Sequence, residues 1–180
     1  IDACLGDSTF FHSGITSLID AVYNKSDSVS VILDNRITGM TGHQQNPGTG
    51  YTLMGDETTE VDIPALCRAI GVKDDNIYIV NPLKLDEVNK ALDEAIAKTE
   101  PTVIITKWPC VLKKFSAQAE YDLAPKKCAV DQDKCKKCGM CAKTGCPAIY
   151  TGETVTIDAA SCTGCSVCSQ VCPFDAIKEV

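Results

Sequence analysis

No stretch of this 180-residue chain approaches the roughly 18 consecutive apolar residues that a membrane-spanning helix needs, so the sequence predicts no membrane insertion. Positive charge is also short. Seventeen Lys and Arg stand against 24 Asp and Glu, for a formal net charge of −7, which argues against the basic surface that nucleic acid selects for. The N-terminal residues carry neither a basic n-region nor an apolar h-region, leaving the cytoplasm as the expected location. No G-x4-G-K-[ST] loop is present, and no G-x-G-x2-G follows an early strand, so a nucleotide or nicotinamide site is disfavoured. What the chain does have is enough apolar content, 44%, for a packed core in one or two domains. It also has twelve cysteines, eight of them between Cys135 and Cys172. A disulfide scaffold needs an oxidising compartment and usually a short secreted chain, so metal binding is the better explanation of this crowding.

The composition changes near residue 115. Before it, short apolar runs at Ile1–Leu5, Val29–Leu33, Ile77–Val80 and Thr102–Thr106 read as buried parallel strands. Helical periodicity fills the gaps. Phe11–Tyr23 carries Ile15, Leu18, Ile19 and Val22 on one stripe; Asp62–Ile70 follows; Leu85–Lys98 carries Leu85, Val88, Leu92 and Ile96. Alternating strand and helix predicts a parallel sheet covered on both faces. The expected organisation is an α/β domain over 1–112, a polar linker over 113–127 containing Pro125, and a second, α+β domain over 128–180.

That second segment repeats itself. Cys135, Cys138 and Cys141 match Cys162, Cys165 and Cys168 at an offset of 27, and Cys146-Pro147 matches Cys172-Pro173 at an offset of 26. The runs are C-x2-C-x2-C-x4-C-P and C-x2-C-x2-C-x3-C-P. Three thiolates spaced by three residues can wrap three irons of one cubane, and the fourth reaches the other cluster. The assignment is Cys135, Cys138, Cys141 and Cys172 to one [4Fe–4S] cluster, and Cys162, Cys165, Cys168 and Cys146 to a second. Zinc sites pair two C-x2–4-C knuckles across a longer loop, which is a different pattern. The extra residue before Cys146 departs from the usual spacing and leaves that ligand less tightly held. The pattern resembles a bacterial-type double-cluster ferredoxin domain, which moves single electrons. Cys4, Cys67, Cys110 and Cys128 are expected to be small buried hydrophobes.

The α/β half opens with a strand ending in Gly6-Asp7-Ser8-Thr9, and its next strand ends at Asp34-Asn35-Arg36. Both sit at the C-terminal edge of the expected sheet, where phosphates and their metal bind. Two protein oxygens beside phosphate oxygens and water suit Mg2+. Gly6-Asp7-Ser8 with Asp34-Asn35 resembles the thiamine diphosphate motif, commonly GDG and NN, with Ser8 in place of the last glycine. The resemblance implies that Asp7, the Asn35 side chain and the Ile37 carbonyl ligate Mg2+. It further implies that Gly6, Ser8, Thr9, Arg36, Thr38, Gly39 and Met40 belong to the cofactor site. The loop Gly39-Met40-Thr41-Gly42 would pack on the diphosphate and thiazolium.

The longer blocks GDSTFFHSGITSLIDAVYNK and ILDNRITGMTGHQQNPGTG are similar to the α subunits of indolepyruvate:ferredoxin oxidoreductases, more than to the pyruvate or 2-oxoglutarate branches. The C-terminal ferredoxin domain matches that layout. The resemblance implies oxidative decarboxylation of an arylpyruvate on thiamine diphosphate, coenzyme A as acyl acceptor, a β subunit as partner and an external ferredoxin as electron acceptor. His12 and His43, the only histidines, lie inside these blocks and are the candidates for substrate contact, with Gln44 behind them. No pyrimidine-side domain is recognisable, so the chain reads as a C-terminal portion. A non-catalytic electron-transfer module with an α/β scaffold, or another 2-oxoacid branch, are the alternatives.

Overall fold

The computed structural model describes residues 3–113 and 126–180, in two compact units, Ile1–Lys113 and Lys114–Val180. Most of the expected linker lies outside the described residues. So do the first two residues of the expected first strand.

In the first unit, β1 (Ala3–Gly6), β2 (Val29–Asp34), β3 (Ile77–Val80) and β4 (Thr102–Lys107) form a parallel sheet in the order β1-β2-β4-β3. Gly6 lies opposite Leu33 in the β1–β2 register, so the chain leaves both strands at the same edge. The central strand β4 is an unbroken Thr-Val-Ile-Ile run, as a strand buried on both faces requires.

Successive strand residues face opposite sides and therefore build two cores. Ile32, Val103 and Ile105 pack with Phe10, Leu18 and Cys67 on one face. Val29, Val31 and Ile104 pack with Ala91 and Ala95 on the other.

The first helical segment starts four residues earlier than the periodicity suggests. It runs without a break through α1 (Asp7–Thr9), a π-helical turn (Phe10–Gly14) and α2 (Ile15–Tyr23). The reason is at its start: Asp7 follows the strand directly and is itself buried at 2% exposure. Helix α3 (Ile63–Ile70) begins one residue later than expected because Asp62 serves as its N-cap, accepting the Ala65 N–H at 2.5 Å. It stops at Gly71, whose φ of 111° ends the helix left-handed.

Helix α4 (Leu85–Ile96) seats Ala91 and Ala95 deepest, and Ile96 is 62% exposed. The expected stripe is thus rotated toward the small residues, which lets the helix lie close on the sheet. Among the described residues no helix is long and apolar enough to cross a membrane.

The second unit holds two antiparallel pairs. β5 (Cys128–Val130) pairs with β8 (Ile177–Glu179), and β6 (Ile149–Thr151) pairs with β7 (Val155–Ile157). Each half of the repeat gives one strand to each pair, so neither half forms a sheet alone. A 3-10 turn at Ala142–Thr144 follows Cys141, the third cysteine of its run, and helix α5 (Val167–Gln170) contains Cys168, the third of the other. Cys128, Cys141, Cys162 and Cys168 are buried with Ala148, Val155 and Ile177, so thiols make up much of this core.

Ile105 is 1% exposed at the centre of the first unit's sheet. Ile105→Ala should cost about 2–5 kcal/mol in urea unfolding followed by the single tryptophan, Trp108. A loss under about 0.5 kcal/mol, as at surface positions, would contradict this packing.

Candidate functional site

The parallel register brings the two sequence blocks together at the C-terminal edge of the sheet. Asp7 accepts the Ser8 N–H on Oδ1 at 2.7 Å and the Asn46 Nδ2–H on Oδ2 at 3.1 Å. The backbone amides of Ile37 and Arg36, which donate to Asn35 Oδ1 at 3.1 Å and Asp34 Oδ1 at 3.3 Å, lie close enough to favour the charged form of Asp7 as well. Burial raises the Asp7 carboxyl above the ordinary carboxylate range, and these four donors oppose that shift.

Asp34, 5% exposed, faces the same region. Burial is the main cause raising it as well; the Arg36 guanidinium opposes that, and the Asp7 charge adds to it. Asp34 and Asp7 are thus two buried carboxylates within electrostatic reach of one another, and a divalent cation near them would relieve both desolvation and repulsion.

The other predicted residues take distinct places. Asn35 Oδ1 accepts the Ile37 N–H at 3.1 Å, so its side chain folds over its own loop. Arg36 adopts a left-handed φ of 61°, and its guanidinium forms a two-pronged pair with Glu60, one prong at 2.7 Å. Its contribution to Asp7 is therefore made through the backbone.

Thr38 bridges to Gln44 and closes a small loop whose tip is Met40, fully exposed. His43 stands on that loop at a φ of 64° and is exposed. His12 Nδ1 lies 2.6 Å from the Ser8 carbonyl, which can only accept; Nδ1 thus carries the proton, leaving Nε2 as an acceptor in the neutral ring.

Two members of this site were not among the predicted residues. Asp34 was read only as the first letter of a motif. Asn46 lies 39 residues from Asp7 in sequence, and its one signal was the turn sequence Asn-Pro-Gly. Gln45 beside it has its buried Oε1 without a hydrogen-bond partner, an acceptor available to a bound donor.

In the second unit, Cys135, Cys138, Cys141 and Cys172 line one cavity together with Gly139 and Phe174. Cys172 comes from the second run, and its Sγ accepts the Ala176 N–H at 3.4 Å. Cys168 lies within electrostatic reach of Cys128, Cys165 and Cys146. Burial first, and then Cys128, push its thiol up to about 12, so Cys168 becomes a thiolate only with cationic compensation.

The backbone winds alike around the middle cysteine of each run: Lys137 and Gly139 flank Cys138, and Gly164 and Ser166 flank Cys165, all four at φ between 52° and 75°. Among the described residues no three His, Cys, Asp or Glu side chains close on a point as ligands of a single metal ion do. A cubane spreads its four thiolates over separate corners, and a cavity walled by four cysteines is the form suited to it.

The scattered cysteines divide. Cys67 and Cys128 are buried as expected, Cys110 is half-buried, and Cys4 is exposed. Cys4 departs from expectation because β1 is an edge strand, where an outward residue lacks a covering helix among the described residues.

The comparisons agree with this division. Residues 3–106 match the family described as thiamine pyrophosphate enzyme, C-terminal TPP binding domain, and residues 155–178 match the 4Fe-4S binding domain. A protein named indolepyruvate oxidoreductase subunit IorA from Methanothermobacter thermautotrophicus is 43% identical over 97% of this chain and 27% of its own length. Proteins of the same name from Archaeoglobus fulgidus and Pyrococcus abyssi are 42% and 36% identical, over 99% and 100% of this chain and 28% of their own lengths. The chain therefore spans about a quarter of the length of these curated relatives. A solved thiamine diphosphate-dependent 4-hydroxybenzoylformate decarboxylase from Rhodococcus jostii RHA1 is similar over 59% of this chain and 19% of its own, with 26% identity and a TM-score of 0.45.

Because its carboxyl is raised, folded Asp34 holds a proton more tightly than it does in the unfolded chain. The stability this group contributes falls as pH rises from 3.8 through the raised value. In urea titrations of the metal-free protein, Asp34→Asn should gain on wild type progressively across that window. A difference that stays constant with pH would overturn the burial argument.

Proposed function

Since this chain belongs to the thiamine pyrophosphate enzymes through their C-terminal cofactor-binding domain, we propose that it is part of a 2-oxoacid:ferredoxin oxidoreductase acting on arylpyruvates such as indolepyruvate. Coenzyme A would accept the acyl group, and electrons would leave through the cysteine-rich unit to an external ferredoxin. The observation that carries this reading is the coexistence, in one chain, of a buried Asp7 carboxylate at the sheet edge and two matched cysteine runs. The names of the relatives support the aryl branch and a multi-subunit assembly; a β subunit would be the partner.

The residues present fit the groups this reading implies. Asp7, the Asn35 side chain and the Ile37 carbonyl would hold Mg2+. Ser8, Thr9 and the Thr38–Met40 loop would contact the cofactor's diphosphate and ring. When bound, thiamine diphosphate supplies the electron sink for decarboxylation, and two [4Fe–4S] clusters take electrons one at a time. The protein's own part is to bind, orient and compensate charge. Asp7 offers an anion already desolvated, so no water has to be stripped from it when the cation arrives. His12 and His43, the latter on the exposed loop, would contact substrate. Cys135, Cys138, Cys141 and Cys172 would hold one cluster; Cys162, Cys165, Cys168 and Cys146 would hold the other.

The test uses the full-length protein carrying this chain, purified anaerobically with its partner. Viologen reduction is followed with indolepyruvate, phenylpyruvate, pyruvate and 2-oxoglutarate, with and without coenzyme A. Aryl-selective, coenzyme A-dependent reduction that drops to background in Asp7→Ala is expected, from protein holding about eight irons per chain. Iron-replete protein that reduces viologen with none of the four acids would leave an electron-transfer module without this catalysis.

A further inference from the structure

Among the described residues, the Asp7 carboxylate is the predicted ligand of the proposed cation that a distant side chain, Asn46, holds. Asn46 is 6% exposed and comes from a loop that is remote in sequence. The orientation of its amide is settled by chemistry: Gly48 N–H, which can only donate, points at one end of it at 2.9 Å, so that end is Oδ1. The other end is then the NH2 group, and it faces Asp7 Oδ2 at 3.1 Å.

The loop has no latitude to move this amide. A side chain at Gly48 would meet Phe11 Cε2 at 2.8 Å, so the backbone lies directly on the π-helical turn that follows Asp7. Thr49 ties the same loop down a second way, its N–H and hydroxyl donating to the Asn46 carbonyl at 3.0 and 2.9 Å.

We infer that Asn46 is a positioning residue for the cation site: its amide holds Asp7 Oδ2 while the Ser8 N–H holds Oδ1, which fixes the rotation of the carboxylate that would ligate the metal. The inference rests on the proposed Mg2+ site and adds a residue that acts through Asp7 without ligating. Partners that orient a metal ligand typically set affinity by 10–100-fold.

The experiment is a Mn2+ titration by electron paramagnetic resonance, in saturating thiamine diphosphate, on the full-length protein. Asn46→Ser is the informative variant. A serine hydroxyl can accept the Gly48 N–H two residues on and keep the turn, but it cannot reach Asp7 with a donor. Thr49→Val loosens the same loop and leaves the Asn46–Asp7 bond in place.

The expected result is Mn2+ binding about 10–100-fold weaker in Asn46→Ser and within about twofold of wild type in Thr49→Val. Wild-type affinity in Asn46→Ser, with binding lost in Asp7→Asn, would overturn the role of Asn46 and leave the metal site standing. Equal weakening in Asn46→Ser and Thr49→Val would also overturn it, assigning Asn46 to the loop alone. Binding unaffected by Asp7→Asn, or absent from wild type, would remove the metal site and the inference together.

Discussion

A carboxylate at 2% exposure has to be satisfied by donors and by opposite charge, and the edge of the sheet in the first unit is organised around that demand at Asp7. The parallel pairing of β1 with β2 brings the Arg36 and Ile37 amides within electrostatic reach of it. The left-handed turn at Arg36 carries its N–H onto Asp34 Oδ1 and is followed by the Ile37 N–H on Asn35 Oδ1, and Glu60 pairs with the largely buried Arg36 guanidinium. The Asn46–Thr49 loop closes the remaining side, and Gly48 lets it approach. Donors alone do not offset the burial, since the carboxyl stays raised. The deficit is one of positive charge, which a divalent cation carrying a diphosphate would supply.

The second unit solves a different problem with the same economy. It is too small to bury much hydrocarbon, and its core is built from thiols. Cross-pairing of the two half-repeats carries Cys172 to the cavity of the first run and leaves Cys146 within electrostatic reach of Cys168. Burial raises the Cys141 and Cys168 thiols, so cluster assembly on them would be coupled to proton release.

Much of this was legible from residue order. The strands at 29–34, 77–80 and 102–107 are short apolar runs between turn residues, and tertiary context did not override them. That the ends of β1 and β2 lie side by side followed from their being successive strands joined by one crossover helix. Helix ends were less legible, because Asp62 reads equally as a first helical residue or as a cap. Asn46 could not be found by spacing, since it reaches Asp7 through a loop whose path depends on the contact of Gly48 with Phe11. The exposure of Ile96 escaped the periodicity because two alanines one residue round the helix permit a closer approach to the sheet.

The claim that most depends on this arrangement is that the Asp7 site holds a cation which in turn holds the cofactor's diphosphate. Calorimetric titration of thiamine diphosphate into the full-length protein, once in Mg2+ and once in excess chelator, tests it most directly. The account predicts a saturable binding heat in Mg2+ that is absent in chelator. Binding of equal affinity in both conditions would contradict it.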